Sequence, residues 1–429
     1  MIAAAIGAVL FMAVLMVTGY SKCPYMDEWW VVYQLATGAT PRSLSWLWSQ
    51  QNEHRILIPR LLVVLDLYAF GARNISLFLF TFVIQLAHWL ILAIAARRWF
   101  TGPRALLWTI QGLLGCCLFR SIQIENFVWA FQFSFILAFF LATLAFISIL
   151  LVDETKRPVI FIALAVIFPI LAMASLASGL LIWPILLLLC LWQRIRRSTF
   201  LLLLVSGVFS FFVYFNGYNT PSYLSSPAAA IRLPWKIFRY ILTYFGTSWW
   251  SLLPHEARVI AFSAIVLFGY FVVDAMRNRS TTSKLELLFI TEGLYILFVA
   301  FTTALGRIGL GTGQASSSRY QTPAMIFWGC LLGLSLLWLN KRKKPRGVLA
   351  LQGGMLLVVI VLGFGIPYTY SVNIGRAREL NEACAAVSAG VDDPKLTATL
   401  IDQPVVLERA SKLLRKLWKT EPSQNGSKP

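Results

Sequence analysis

Eleven separate stretches of this chain are apolar and almost free of charge over lengths close to what a bilayer demands. That succession limits the fold more than any motif does. The runs lie near 2 to 19, 75 to 96, 105 to 120, 127 to 152, 158 to 174, 176 to 192, 199 to 215, 257 to 275, 285 to 304, 321 to 340 and 347 to 367. A helix rising 1.5 Å per residue needs roughly 17 to 25 such residues to cross a hydrocarbon core of about 30 Å. Lipid offers backbone groups no hydrogen bonds, so a crossing stretch must satisfy its own, as a helix does. The 429 residues are 58% hydrophobic and 13% charged, far from the balance of a soluble domain. The expected fold is therefore an all-α polytopic membrane protein with about 11 transmembrane helices. The net charge of +19 would suggest nucleic acid in a soluble chain. Here the basic residues sit in short clusters between apolar runs, the pattern of cytoplasmic loops, and no nucleic-acid partner is expected.

Those clusters set the topology. With the N-terminus cytoplasmic, every second connection is basic: Arg97, Arg98 and Arg104; Lys156 and Arg157; Arg194, Arg196 and Arg197; Arg277, Arg279 and Lys284; and Lys341 to Lys344 with Arg346. The opening run lacks a basic start and a small-residue cleavage pattern before Tyr20, so it reads as a retained first span. Two more hydrophobic stretches, Ile56 to Gly71 and Ile237 to Leu253, must then stay on one side, as interfacial or re-entrant helices. In the alternative the N-terminus is outside and 56 to 71 crosses, which leaves the later loops unchanged.

In the first arrangement residues 1–367 form the transmembrane domain. Its non-cytoplasmic face collects the first loop (20–74), with its interfacial helices, and the connections 120–126 and 174–178. The second long loop (216–256) and the connection 306–319 join them there. A short tail, 368–429, follows on the same side, with amphipathic helices expected near 374 to 389 and 404 to 418 and a disordered end. Leu413, Leu414, Leu417 and Trp418, interleaved with Lys412, Arg415, Lys416 and Lys419, suggest that the tail lies near the membrane. Of six cysteines, Cys116, Cys117, Cys190 and Cys330 fall in apolar runs. Cys23 and Cys384 are the pair able to meet in water.

Four polar groups on that face could carry chemistry. Asp27 and Glu28 follow the first span beside Trp29 and Trp30, where partial desolvation can tune a carboxylate as a general base. The plainer reading is an acid within an aromatic belt. His54, Arg55 and Arg60 offer a proton donor or acceptor and planar forks for phosphate oxygens, or else lipid-headgroup contacts. Glu125, Trp129 and Gln132, at helical spacing beside Asn126 and Arg120, should share one inward face, for binding or for an inter-helix hydrogen-bond cluster. The glycine- and serine-rich 306–320 segment places Arg307, Arg319 and Tyr320 at the mouth of the next helix, where amides and guanidinium groups can close around an anion. Ser178-Gly179 and Trp183-Pro184 suggest a broken helix.

Together these clusters resemble the GT-C class of integral-membrane glycosyltransferases, in an uncharacterised bacterial branch. The residues that carry the likeness are Asp27 after the first helix, Asn52-Glu53-His54-Arg55-Ile56, the stretch from Glu125 to Gln132, and Ser318-Arg319-Tyr320. The resemblance implies an enzyme of cell-envelope glycan biosynthesis in a bacterial inner membrane. Its donor would be a polyprenyl-phosphate sugar and its acceptor a lipid, glycan or protein hydroxyl on the non-cytoplasmic face. Asp27 would be the catalytic base, with Glu28 as its neighbour. Arg55, Arg307 or Arg319 would stabilise the departing phosphate, and a single displacement would invert the anomeric centre. The prenyl tail would lie among the spans near Trp249 and Trp250. A divalent cation, Mg or Mn, could bridge the acids and the phosphate, although no dense second carboxylate set demands one. The chain departs from larger members of the class in its short C-terminal tail.

The main rival is a transporter or flippase of a polyprenyl-linked saccharide, with the same acids and arginines lining a path. No internal inverted repeat supports it. A membrane O-acyltransferase would need a deep histidine with a polar partner. His88 lies in the second run among apolar neighbours and reads as a packing or hydrogen-bonding residue.

Overall fold

The computed structural model describes residues 1–224, 226–363, 365–391, 393, 395 and 398–420. Eleven apolar helices run through it, at the positions where the sequence places spans. They are α1 (Ile2–Thr18), α5 (Ile75–Trp99), α6 (Arg104–Leu118), α8 (Phe133–Leu151), α9 (Pro158–Met173), α10 (Ile182–Gln193), α11 (Arg197–Phe215), α14 (Ala257–Arg277), α15 (Lys284–Arg307), α16 (Gln321–Lys341) and α17 (Pro345–Gly363). With their flanking turns, eight are long and apolar enough to cross a membrane and three are shorter. Between them lie α2 (Asp27–Ala36), α3 (Leu44–Leu47), α4 (Leu57–Phe70), α7 (Ile124–Val128), α12 (Pro227–Ile231) and α13 (Pro234–Gly246). The tail forms α18 (Ile366–Ala389) and α19 (Pro404–Thr420). The described sheet is one hairpin of two-residue strands, β1 (Gln50–Gln51) and β2 (His54–Arg55), paired antiparallel.

The basic connections gather at one end of the bundle. Glu154 pairs with Arg98 at 2.8 Å and Lys284 at 2.9 Å, Lys341 reaches Glu286 at 3.6 Å, and Arg342 reaches Asp274 at 3.5 Å. Such accessible pairs each contribute at most about 1 kcal/mol. Their value is positional, because they mark the ends of α5, α8, α14 and α16 and the start of α15 as neighbours. A capping box at Ser283 and Glu286 fixes the start of α15 there.

The opposite end answers the question of the two extra hydrophobic stretches. If α4 crossed, the end of α1 and the start of α5 would lie on opposite faces. Instead Tyr20 donates to the Arg73 carbonyl at 2.5 Å and Asn74 donates to the Cys23 carbonyl at 2.8 Å. Residues 56–71 therefore return to the side they left, and the alternative with a crossing 56–71 segment does not fit. For the second stretch, α11 ends where Arg55 reaches the Asn216 carbonyl, and α13 ends where Ser248 donates to Gln321 at the start of α16, on the side opposite the basic connections. The 13-residue α13 therefore does not cross either.

Three expectations change. The run 127 to 152 is broken: α7 ends at Val128, Trp129 is extended at φ −106° and ψ 103°, and α8 begins at Phe133. Glu125, Trp129 and Gln132 consequently do not share one helical face. The tail boundary at 367/368 falls inside the continuous 24-residue α18. The apolar side of α19 packs against protein: Val406, Leu407, Ala410 and Leu414 are buried with Trp29 and Val32 of α2 and with Leu380 and Val387 of α18. The 421–429 end, expected to be disordered, lies outside the described residues.

α16 and α8 form the middle of the bundle, whereas α17 is peripheral, with 6% of its apolar window buried against 83% for the segment containing α16. Close helix approach depends on glycine. A Cβ at Gly112 would lie 2.4 Å from the Met1 carbonyl carbon, and one at Gly179 would lie 2.2 Å from the Met173 nitrogen. His88 is hydrogen-bonded within the bundle, its Nε2 lying 2.8 Å from the Thr143 hydroxyl.

Candidate functional site

The site is built around a strained turn. Met26, immediately before α2, has φ 49° and ψ −111°, a conformation costly for a residue with a Cβ, typically by about 1–3 kcal/mol. The tail holds it in place. The Met26 amide donates to the Leu400 carbonyl at 2.8 Å, and a disulfide joins Cys23 to Cys384 of α18. The turn delivers Asp27 as the first residue of α2. Its carboxylate accepts from Asn52 Nδ2 at 3.2 Å, and its carbonyl accepts from Gln51 Nε2 at 3.3 Å.

One residue further round the helix, Glu28 points elsewhere. It is 1% exposed, and its two oxygens accept from the backbone amides of Tyr25 at 3.0 Å and Phe131 at 2.9 Å. Glu28 thus fastens α2 to the Phe131 turn. The catalytic part expected for it does not fit that position.

The hairpin supplies the second wall. Its two-residue turn is Asn52-Glu53, with Asn52 at φ 52°, a left-handed conformation that asparagine tolerates. Arg55, expected as a phosphate fork, is turned inward and donates to the carbonyls of Tyr214, Trp48 and Asn216. Arg60 is fully buried and donates to the carbonyls of Trp46, Leu47 and Ser49. Both are backbone clamps and neither reaches the Asp27 cleft.

Glu53, not foreseen as a site residue, is the hub instead. Its carboxylate pairs with Arg307 at the end of α15, accepts from the Tyr223 hydroxyl at 2.5 Å and lies 3.6 Å from His54 Nε2. His54 Nδ1 accepts from the Ala177 amide at 3.4 Å, which assigns the ring proton to Nε2 on the Glu53 side.

The cleft is lined by Asp27, Asn52, Glu53, His54, Gln132, Arg307 and Arg319 together with Ser134 and Ser175. Gln132 is buried with its Oε1 unpartnered among the described residues. The Arg319 guanidinium lies 5.4 Å from the Trp129 ring centroid, its Nε donates to Ser317 Oγ at 3.0 Å, and it has no ion-pair partner among the described residues. Asn126 serves as scaffold, donating to the Arg319 carbonyl at 3.2 Å and to Thr322 Oγ1 at 2.8 Å. Glu125 and Tyr320 are absent from the cleft lining.

Beside the cleft, and sharing Glu53, His54, Phe135, Leu176 and Arg307 with it, is a chamber of about 390 Å³. Phe139, Leu180, Phe211 and Val299 give it apolar walls, and Tyr320, stacked on Tyr244 at 5.2 Å, is among them. Trp249 is not part of it, but packs against Trp328 and Arg120 in a separate groove.

Burial raises the Asp27 carboxyl above the ordinary range. Arg319, Asn52, His54 and Arg307 oppose that shift. Burial pushes Glu28 up to about 8 against the pull of its two amide donors, and lowers His54 to about 4, so that the imidazole is neutral at pH 7. Asp27 is thus a carboxylate of enhanced basicity facing two arginines, able to take a proton while an anion is held nearby. No three His, Cys, Asp or Glu side chains converge among the described residues, and Glu53 is paired with Arg307.

No protein-family model and no curated protein matches this sequence. In chain path the protein is similar to solved structures of ArnT from Cupriavidus metallidurans. The apo form gives a TM-score of 0.47 with 16% identity, covering 96% of this chain and 76% of that one. The form bound to undecaprenyl phosphate gives 0.46 with 14% identity, covering 95% and 75%.

Proposed function

We propose that this chain is a membrane glycosyltransferase that moves a sugar from a polyprenyl-phosphate carrier to an acceptor hydroxyl. One observation carries the reading: Asp27 and Arg319 line a polar cleft that opens, past Arg307 and Glu53, onto an apolar chamber. A lipid-linked sugar has the same sequence of chemistries, a sugar, an anionic phosphate and a hydrocarbon tail. In the reaction Asp27 accepts the proton of the acceptor hydroxyl, and the hydroxyl oxygen attacks the anomeric carbon. The bond from that carbon to the phosphate oxygen breaks, and the electron pair leaves with the polyprenyl phosphate. Arg319 and Arg307 hold the charge that develops there. A single displacement inverts the anomeric centre. The basic connections at the other end of the bundle support a site on the non-cytoplasmic face.

The test is transfer of radiolabelled sugar from polyprenyl-phosphate carriers to lipid, glycan and protein acceptors in proteoliposomes holding the full chain. Product with inverted configuration is the expected result. Movement of carrier between leaflets with no transfer to any acceptor would overturn the reading in favour of a flippase.

A further inference from the structure

A second cavity, of about 580 Å³, shares no lining residue with the Asp27 cleft or its apolar chamber. It lies among α1, α6, α16 and α17. Along α17 its wall extends from Leu351 to Gly363, which at 1.5 Å per residue is about 18 Å. That is close to the depth of one leaflet of a core ~30 Å thick. The walls are open as well as apolar, since a Cβ added at Gly7 or at Gly354 would meet nothing within 4 Å.

Arg120 stands at one end of this trough. Hydrogen bonds from Ser318 to the Ile122 carbonyl and from Asn126 to the Arg319 carbonyl place that end on the Asp27 side of the bundle. Among the described residues its Nη1 meets only the Met325 sulfur, at 3.6 Å, and the guanidinium lies 5.8 Å from the Trp249 ring centroid. Its Nη2 is buried with no hydrogen-bond partner among the described residues. A guanidinium N–H withdrawn from water without an acceptor is costly, and an anionic oxygen is the acceptor that suits it. A cation at the rim of a leaflet-deep apolar trough is complementary to one kind of molecule, a lipid with a phosphate head.

We propose that this groove binds one anionic glycerophospholipid from the leaflet on the Asp27 side, with its phosphate on Arg120 and an acyl chain between α1 and α17. The peripheral α17, so little buried by protein, gains its missing neighbour from that chain.

The test is native mass spectrometry of the full-length protein released from vesicles of phosphatidylglycerol, with vesicles doped with diacylglycerol, which lacks phosphate, as the comparison. The wild type is expected to retain one phosphatidylglycerol per chain and no diacylglycerol. Arg120→Gln should lower occupancy at least tenfold. Gly354→Phe, which fills the trough without touching Arg120, should do the same and decides the matter if the arginine variant does not fold. Asp27→Asn should retain the lipid, because the groove is separate from the cleft. Unchanged occupancy in both groove variants, or equal retention of diacylglycerol, overturns the proposal.

Discussion

Replacing Asp27 by asparagine separates catalysis from folding, because the structure gives the two properties opposite signs. The substituted amide keeps an oxygen to accept from Asn52, so the 3.2 Å contact can persist, but it is not a basic carboxylate. Loss of a positioned general base costs a factor of about 100 to 10,000, or roughly 3 to 5 kcal/mol of barrier. Arg319 and Arg307 remain to hold the phosphate, so the loss should fall on kcat, with the donor KM little changed.

Stability should move the other way. The Asp27 pKa is raised by burial, so between the unfolded and folded values the folded state holds a proton that the unfolded state releases. Folding stability therefore falls as pH rises through that window, and ionised Asp27 is a net cost at pH 7. The Asp27→Asn variant should melt at or above the wild-type temperature in detergent while transferring sugar at least ~100-fold more slowly. The wild-type rate should also decline with acidification above the ordinary carboxylate range, as Asp27 becomes protonated. A variant with wild-type kcat, or one that melts several degrees lower, would refute the assignment of Asp27 as a base held at a desolvation cost.

Glu28 gives a second linkage effect. With its carboxyl pushed up to about 8, stability should fall as pH rises from about 4.5 to 8, and thermal unfolding of Glu28→Gln should show a flatter pH dependence over that range. Arg307→Gln leaves Glu53, 12% exposed, without its cation, and should destabilise by up to ~3–5 kcal/mol. The double variant with Glu53→Gln should recover most of the melting temperature but not the transfer rate; recovery of both would make Arg307 purely structural. Cys23→Ser should cost about 2–4 kcal/mol and reduce transfer, because the disulfide fastens the tail that holds the Met26 turn. A reductant should reproduce both effects in the wild type and leave the variant unchanged.

Much of the fold was legible because a bilayer reduces the problem to one dimension. Apolar runs mark the candidate spans, and alternating basic loops orient them and keep α4 and α13 on one side without any tertiary information. Asp27 was legible for the same reason, as a costly charge beside a span. The roles of its neighbours were not. Asn52, Glu53, His54 and Arg55 are four consecutive polar residues, yet the hairpin points Glu53 and His54 into the cleft and buries Arg55 among carbonyls. The break at Trp129 was hidden because nothing in its local composition opposes a helix.

By itself, then, the sequence determined that this is a polytopic helical membrane protein, which connections share a face, and that Asp27 stands where chemistry is feasible. Hydrophobic transfer and loop charge act residue by residue along the chain, so a linear reading captures them. Only the tertiary structure decided that Glu53 rather than Arg55 meets Arg307, that Glu28 is a fastener, and that the tail clamps the Met26 turn through Cys384 and Leu400. Those outcomes depend on which carbonyls and amides come within hydrogen-bonding distance, about 3 Å, once distant segments pack together. No local pattern encodes that distance.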